Sequence, residues 1–369
     1  MELINATRMT AGYTMGLEPS GRELLVVVMK GTFMLPRPGE AMRLADAQLP
    51  LVMADTFTGE PGFSAPVHEV DFAPRKPACD VLLVGSAHAP AGMQATGLSV
   101  CLRVGPLEKR AEVFGERAWQ RSGSGYVAGA PQPFTQLPLS YDRAFGGRDR
   151  RSADDTQHDA YLANPVGRGW FSATQKDDAR RIEGAPLPNL EHRGQPVRDP
   201  HGSYAPVAFG PLGRGWPARA RFGGTYDERW MNDDFPFLPR DFDERYYQAA
   251  PEDQQLAHPK AALDVVLEGF TPDGARRFAL PYFEAPVHVF PKRGGREDHV
   301  ATLDTIVFEP DAERFTMTWR VARPLKKSLH EVAQVLVGRK GREWWLARQE
   351  RDGVVAAAPQ AVAVEAGAG

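Results

Sequence analysis

Apolar residues fall into short runs along the first third of the chain, and the length and spacing of these runs predict β-strands. The runs cover residues 23–35, 79–90, 98–105 and 109–121. The first is rich in valine and ends at Pro36, and in the last the apolar Ala111 and Val113 alternate with polar neighbours, as in a strand with one face in water. No convincing helix separates them, so parallel strands would lack the crossover helices that they need. We therefore predict an N-terminal antiparallel β region over residues 1–121.

The same pattern returns in residues 261–323. Four apolar or alternating stretches occur there, at residues 261–270, 276–290, 299–310 and 314–324. The sequence EPDAER at 309–314 separates the last two and predicts a hairpin turn. We expect this region to complete one core with the N-terminal strands. Residues 324–369 are predicted to hold a short helical stretch at 325–337, the segment REWWLARQE, and a frayed tail of small residues from 354 to 369.

Residues 122–260 differ in composition from both flanking regions. Glycine, proline, arginine, aspartate and aromatic residues dominate them, and the whole chain has 36 Gly and 32 Pro among 369 residues. The aromatic density argues against disorder, and a structureless insertion of this length is rare in a compact protein. We predict an ordered, loop-rich layer packed on the strands, with one short helix beginning near Asp227. The fold class is therefore mainly β, sandwich-like, with antiparallel sheets and little helix.

One tetrapeptide, Gly-Arg-Gly-Trp, occurs twice in this layer, at residues 167–170 and 213–216. Neither copy has the strand-to-helix context or the lysine and hydroxyl residue of a phosphate-binding loop, and two copies are too few for an arginine- and glycine-rich nucleic-acid segment. No constant period relates them, which argues against a duplicated domain. We favour packing over a ligand role: the glycines form turns, the tryptophans are buried, and the arginines pair with carboxylates or carbonyls. The four side chains concerned are Arg168, Trp170, Arg214 and Trp216.

The charge balance excludes some classes of partner. The chain has 44 basic and 47 acidic residues, a formal net charge of −3, whereas general binders of nucleic acids or anionic membranes carry a basic excess. We therefore predict no nucleic-acid partner and no membrane insertion. The N-terminus has an acid at position 2 and no signal-peptide pattern, and the two cysteines suit a reducing compartment. The expected location is the cytoplasm.

Motifs for catalysis, metal binding or cofactor binding do not occur in the sequence. There is no nucleophile elbow, no metalloprotease helix, no zinc ribbon and no calcium loop. We predict no catalytic residue, no metal and no cofactor. One enzymatic alternative stays open, a hydrolase that uses acids of residues 233–243 together with His158 or His201.

Several stretches in a fixed order resemble a bacterial family of unknown function whose genes neighbour VgrG spike and PAAR tip genes in type VI secretion clusters. They are VVVMKGTF, HEVDFAPRKPACDVLLVGSAHAP, PLSYDRAFGG, NPVGRGW, GTYDERW, PFLPRDFDERYYQAAPEDQ and LDTIVFEPDAERFTMTWR. The resemblance covers about residues 5–320. It implies a non-enzymatic adaptor or chaperone that loads a toxic effector onto the spike, with the effector, the PAAR tip protein and VgrG as partners. A structural cargo component that travels with the spike is a further alternative.

The middle layer is rich in tyrosine, tryptophan and arginine, the residues that favour the centres of protein interfaces. We therefore select candidates for protein interaction or loop anchoring from its motifs and from the last predicted strand. They are Tyr141, Asp142, Arg143, Arg168, Trp170, Arg214, Trp216, Tyr226, Asp227, Trp230, Asp241, Asp243, Trp319 and Arg320.

Overall fold

Two large β-sheets pack face to face, and irregular segments cover the outer face of the larger sheet. This architecture confirms the prediction of a mainly β, sandwich-like fold with little helix. The protein is seen here in a computed structural model, which describes residues 1–152, 154, 156, 158–174 and 179–356. Most of the predicted frayed tail, from residue 357 onward, lies outside the described residues.

The regular elements follow one another in this order. The first strands are Glu2–Asn5 (β1), Thr10–Leu17 (β2), Glu23–Met34 (β3), Thr56–Phe57 (β4), Pro66–His68 (β5), Cys79–Leu83 (β6), Ser86–His88 (β7), Gly97–Val104 (β8), Leu107–Phe114 (β9), Trp119–Ser122 (β10), Gly125–Ala128 (β11) and Gln136–Pro138 (β12). The others are Phe145–Gly146 (β13), Arg148–Asp149 (β14), Asp159–Ala160 (β15), Arg168–Gly169 (β16), Leu190–Glu191 (β17), Gln255–Leu256 (β18), Asp264–Glu268 (β19), Arg276–Ala279 (β20), Ala285–Pro291 (β21), Glu297–Glu309 (β22), Arg314–Pro324 (β23) and Val332–Val337 (β24). The α-helices are Ala179–Ile182 (α1), Pro217–Ala220 (α2) and Arg342–Ala356 (α3).

The larger sheet has nine strands, in the order β1-β24-β21-β22-β23-β3-β2, with β6 beside β22 and β18 beside β6. The strands at the two ends of the main order, β1 and β2, are consecutive in the chain. The sheet therefore curls until its edges approach each other, as in a nearly closed barrel. The hairpin between β22 and β23 turns at Pro310–Ala312, where residues 309–314 predicted a turn.

The smaller sheet has five strands in the order β17-β9-β8-β19-β20 and shares one apolar core with the larger sheet. Val27 and Met317 of the larger sheet and Leu102 and Val265 of the smaller sheet belong to this core and are all at most 1% exposed. Strands from residues 1–121 and from residues 261–323 thus pair with one another in both sheets.

Antiparallel pairs dominate, but three pairs are parallel: β1 with β24, β6 with β22, and β13 with β16. The expectation of purely antiparallel pairing in residues 1–121 is therefore wrong for β1 and β6. Two adjacent parallel strands need a long crossover connection between them, but this connection does not have to be a helix. The whole middle region lies between β6 and β22, and this connection is long enough.

Two predicted elements need correction. The stretch 325–337 is not a helix: beyond one turn at Leu329–Glu331 it forms strand β24, in which Val332 and Val335 are fully buried, and β-branched side chains suit that position. Helix α3 begins later, at Arg342. The single run 276–290 is divided into β20 and β21, which belong to different sheets.

Asp80 in strand β6 joins the larger sheet to the loop layer. Its side chain is 0% exposed. The carboxylate accepts hydrogen bonds from Lys76 Nζ at 2.7 Å, from Gln248 Nε2 at 2.7 Å, and from the backbone N–H groups of Ala249 and Ala250 at 2.8 and 3.2 Å. Burial by itself would lower the pKa of Lys76. The nearby carboxylates, Asp80 foremost, have the larger effect, so the pKa of Lys76 is raised.

We expect Asp80→Ala to lower the free energy of unfolding by about 3–5 kcal/mol, the cost of leaving a buried charge without its partner. The substitution would remove the carboxylate that accepts hydrogen bonds from the buried Lys76 ammonium and from two backbone N–H groups. Chemical denaturation measures the change. Asp46→Ala is the matched control, because Asp46 is exposed, and we expect it to change stability by less than about 0.5 kcal/mol. Equal effects of the two substitutions would contradict the role of Asp80.

Candidate functional site

The structure divides the fourteen candidate residues into three groups. Trp319 and Arg320 lie in strand β23. A second group lies in the buried part of the loop layer and contains Tyr141, Asp142, Arg143, Arg168, Trp170, Arg214 and Trp216. The third group lies in an exposed segment and contains Tyr226, Asp227, Trp230, Asp241 and Asp243.

Trp319 and Arg320 anchor structure on opposite faces of β23. Trp319 is 3% exposed and packs in the main core. Arg320 is 4% exposed and donates through Nε to Asp304 at 2.6 Å. Its Nη1 donates to the carbonyl groups of Asp71 and Ala73. Arg320 therefore fixes the chain that crosses the outer face of the sheet, and neither side chain is placed to meet a partner.

Tyr141 and Trp216 form a small second core within the loop layer. Their ring centroids are 5.1 Å apart with the planes at 84°, and the two side chains are 3% and 7% exposed. Burial raises the pKa of the Tyr141 hydroxyl. A Cβ atom on Gly213 would lie 2.5 Å from the indole nitrogen of Trp216, so the second Gly-Arg-Gly-Trp copy needs its first glycine for the close approach of this ring.

The first Gly-Arg-Gly-Trp copy is held differently. The carbonyl oxygen of Gly169 accepts a 3.0 Å hydrogen bond from Trp119 Nε1, and Gly169 has φ +89°, a backbone conformation that favours glycine. Trp170 is only half-buried and packs beside Tyr161 at 5.7 Å. The expectation that both tryptophans would be buried is therefore met by Trp216 and only partly by Trp170.

The arginines of the two copies pair as expected, but the carboxylates that they pair with differ in burial. Arg168 donates to Glu116 at 3.1 Å and to the Asp142 carbonyl at 3.0 Å. Burial lowers the pKa of Arg168, since Glu116 is half exposed and compensates only in part. Arg214 donates to both oxygens of Asp55, at 2.7 and 3.1 Å, and lies 2.7 Å from Glu69. These two carboxylates outweigh the effect of burial and raise the pKa of Arg214.

Asp142 and Arg143 tie the turn Tyr141–Arg143 to other segments. Asp142 accepts hydrogen bonds from Thr58 Oγ1 at 2.6 Å and from the Ala65 N–H at 2.9 Å. Arg143 pairs with Glu116 and donates to Asn189 Oδ1 at 3.1 Å. All seven residues of the second group thus anchor loops to one another.

Four of the five residues of the third group lie in a protrusion, which we define as residues 225–241, and Asp243 follows it directly. Large apolar side chains stand in water here: Tyr226, Met231, Phe235 and Phe237 are 59%, 66%, 66% and 45% exposed. Trp230 lies between them, half-buried, with the rings of Tyr226 and Phe235 edge-on at 4.8 and 5.6 Å. These rings form a contiguous exposed aromatic cluster.

Hydrogen bonds hold the protrusion in one shape. Asp227 accepts from the Trp230 N–H at 2.8 Å, close to where the sequence predicted the start of a short helix, and a helical turn covers Trp230–Asp234. Trp230 Nε1 donates to the Phe237 carbonyl at 2.9 Å. At the base, Asp241 accepts from the N–H and hydroxyl of Thr225 at 3.0 and 2.8 Å, which lowers the pKa of Asp241.

Three of the four acids of residues 233–243, Asp234, Asp241 and Asp243, are engaged with other groups. Asp234 pairs with Arg240 at 2.8 Å, and Asp243 pairs with Arg245 at 2.6 Å. His158 and His201 bond instead to the carbonyl oxygens of Ser152 and Phe171. No described hydrogen bond or ion pair joins either histidine to these acids. Among the described residues, no group of three or more acids, histidines and cysteines is placed to hold a metal ion.

Sequence reasoning missed two sets of residues. One is the set of Met231, Phe235 and Phe237, whose exposure depends on tertiary structure rather than on composition. The other is a layer of buried charges on the outer face of the larger sheet, formed by Lys30, Asp71, Lys76, Asp80, Asp304 and Glu309. The sequence contains a sign of the second set, because Lys30, Asp80 and Asp304 are charged residues within otherwise apolar strands, where a buried charge needs a partner.

Glu309 belongs to this buried layer and has a strongly shifted acidity. His68 Nε2 lies 3.1 Å from Oε1, and Arg314 Nε donates to Oε2 at 2.8 Å. Burial by itself raises the pKa of a carboxyl group, but these two partners outweigh it and lower the pKa of Glu309 to about 2, from an ordinary value of 4.5. The ionised carboxylate therefore stabilises the fold.

We expect Glu309→Gln to destabilise the protein at neutral pH by about 1–3 kcal/mol. Because the folded pKa lies below the unfolded one, the contribution of Glu309 is complete above pH 4.5 and is lost as the pH falls towards 2. The difference from wild type should therefore shrink with acid, as measured by urea denaturation from neutral pH to about pH 3. Glu60→Gln, at an exposed glutamate, should show a small difference that does not change with pH. A difference for Glu309→Gln that grows in acid would contradict this assignment.

The two arginines of the repeated tetrapeptide give a matched pair of substitutions. Arg214→Met removes the partner of Asp55 and one of the two partners of Glu69, so we expect a loss of about 2–3 kcal/mol in unfolding free energy. Arg168→Met removes a pair with a half-exposed glutamate and should cost about 1 kcal/mol. Thermal and chemical denaturation of both variants measure the order, and a reversed order would contradict the assignment of the larger effect to the more buried carboxylate partners of Arg214.

Comparison with known proteins identifies one family. The family described as an uncharacterized protein conserved in bacteria (DUF2169) matches residues 20–320. Searches of curated proteins and of solved structures give no match. Within the described residues, none of the helices has the length and apolar character needed to cross a membrane. Since the family match covers well over half of the 369 residues, the chain belongs to the DUF2169 family.

Proposed function

We propose that this protein is a non-enzymatic adaptor that binds a toxic effector and helps to load it onto the VgrG–PAAR spike of a type VI secretion system. The proposal rests on the resemblance of the sequence stretches described above and on one structural observation, the exposed aromatic cluster of the protrusion. A cytoplasmic location follows from this role as part of the same proposal.

The exposed aromatic cluster has the composition of an interface centre. Tyrosine, tryptophan, phenylalanine and methionine are enriched at such centres, and a few such residues supply most of the binding energy. Residues 226–237 carry four acids and one arginine, so the cluster sits within an acidic segment. A basic partner surface with an apolar groove would complement it.

The anchoring of the protrusion favours recognition of a partner with little loss of entropy. The ring of Phe237 packs against Gly21 in the turn between β2 and β3, since a Cβ atom on Gly21 would lie 2.8 Å from it. Asp241 and Thr225 close the base. A loop that is already ordered loses less conformational entropy on binding than a loop that becomes ordered only in the complex.

The geometry gives little support to the hydrolase alternative. Three of its four acids pair with arginines or with Thr225, and its two histidines bond to backbone carbonyl groups elsewhere. A pair of catalytic carboxylates would instead converge on one cleft. The adaptor proposal needs no such convergence.

Co-purification tests the proposal. The protein is co-expressed with the VgrG, PAAR and toxin proteins of its own cluster, and we expect a stable complex with at least one of them. The double variant Met231→Ser with Phe235→Ser removes two side chains that are each 66% exposed. We expect it to weaken the complex by about 30-fold or more, the loss typical of hot-spot residues.

Met93→Ser with Leu162→Ser is the matched control, because these side chains are 61% and 66% exposed and do not belong to the protrusion. The control should bind like wild type. Failure of the wild-type protein to form a complex with any of the three partners would overturn the adaptor proposal. A complex that survives the protrusion variant would keep the adaptor role and place its contact surface elsewhere.

A further inference from the structure

We propose that a cavity beneath the loop layer binds a carboxylate group carried on an apolar residue or chain. The cavity has a volume of about 520 Å³, within the range of about 300–1,000 Å³ usual for ligand pockets. It lies between β9, residues 205–222 and residues 248–255. This site is separate from the protrusion and does not depend on the adaptor proposal.

Lys109 lies at the cavity wall in a position that the strand pattern reserves for apolar residues. It follows Leu107 and precedes Ala111 on the buried side of β9, and its side chain is 5% exposed. Two of its three ammonium hydrogens have acceptors, Asp253 Oδ1 at 3.1 Å and Gln254 Oε1 at 2.8 Å. Burial lowers the pKa of Lys109, and Asp253 offsets this only in part.

The Tyr141 hydroxyl is the second donor. Tyr141 lines the cavity, is 3% exposed, and packs its ring edge-on against Trp216. Within the described chain its hydroxyl has no hydrogen-bond partner. The hydroxyl is open to the cavity rather than enclosed by protein, so it can donate a hydrogen bond to a ligand bound there.

His192 supplies the third donor. Its imidazole lines the same cavity and makes no side-chain hydrogen bond with any described residue. Burial, and then the nearby Lys109, lower the pKa of His192. A neutral imidazole carries one N–H donor. Lys109, Tyr141 and His192 thus all line the same cavity.

The remaining lining determines the class of ligand. Pro206, Leu212, Pro217, Phe222 and Pro251 make most of the wall apolar. Four cationic side chains line the cavity, and each is paired with a carboxylate: Lys109 with Asp253, Arg219 with Glu69, Arg221 with Glu252 and Arg245 with Asp243. The hydrogen-bond capacity left for a ligand is therefore that of the three donors described above, and a carboxylate with two acceptor oxygens and an apolar substituent matches them.

Two sources supply that chemistry, the C-terminus of an extended peptide and a free small carboxylic acid. Three probes distinguish them: N-acetyl-dileucine as the free acid, the same peptide as its C-terminal amide, and 4-methylpentanoate. Isothermal titration and NMR titration of the full-length protein measure binding at millimolar probe concentrations. We expect the peptide acid or the small acid to bind, and the amide to bind about tenfold more weakly than the peptide acid, because it loses charge-assisted hydrogen bonds.

Tyr141→Phe removes only the hydroxyl and keeps the ring against Trp216. We expect it to weaken acid binding by about tenfold while leaving thermal stability close to wild type. His192→Leu is the second variant and should weaken binding in the same direction. Tyr282→Phe is the control, since Tyr282 is 49% exposed and is outside the cavity lining, and it should bind like wild type.

Each outcome decides between the possibilities. Binding of the peptide acid alone supports a peptide C-terminus, and binding of 4-methylpentanoate as well supports a site for carboxylic acids in general. Equal binding of acid and amide, no binding of either acid by wild type, or full binding by Tyr141→Phe would each overturn the proposal.

Discussion

The loop layer depends on a carboxylate that is completely buried. Asp80 accepts four hydrogen bonds, one from a buried ammonium, one from a side-chain amide and two from backbone N–H groups of residues 249 and 250. An ionised carboxylate is stable in such a place only when its partners are all present. The larger sheet and the segment around Gln248 therefore hold each other in position, and neither can shift without removing hydrogen bonds from the buried carboxylate.

The same constraint explains why irregular segments, rather than helices, cover this face of the sheet. Its strands present Lys30, Arg320 and Glu309 outward, all at most 7% exposed. Such groups need acceptors and donors at fixed points. Irregular backbone provides them, as when Arg320 Nη1 binds the carbonyl groups of Asp71 and Ala73, whereas a helix uses its own carbonyl groups internally. A layer rich in glycine and proline can thus be rigid with few regular elements.

The apolar runs predicted where the strands lie, but they did not predict which strands pair with each other. The run at 23–35 became β3 almost to the residue, because a long valine-rich stretch leaves little alternative. Pairing between distant strands leaves no local pattern, so the parallel pairs were not predictable. The helix predicted at 325–337 is wrong for a related reason. The lysines and glutamate of this stretch suit a helix, but its valines are buried in a strand that lies between two others. Tertiary packing outweighs local propensity in such cases.

For the site, composition identified the right layer but did not separate its two kinds of aromatic residue. Trp216 and Trp230 both follow arginine-containing stretches, at GRGW and DERW, yet Trp216 is buried against Tyr141 and Trp230 supports rings that stand in water. The difference lies in what covers each residue, which a sequence without a fold does not specify. Clustered exposed aromatic side chains lower solubility, and proteins tend to retain them where a partner covers them. The protrusion is moreover held rigid by its own hydrogen bonds, from Trp230 to Phe237 and from Thr225 to Asp241. A segment that is both exposed and ordered combines the two properties that an interface centre needs, apolar area and a low entropic cost of binding.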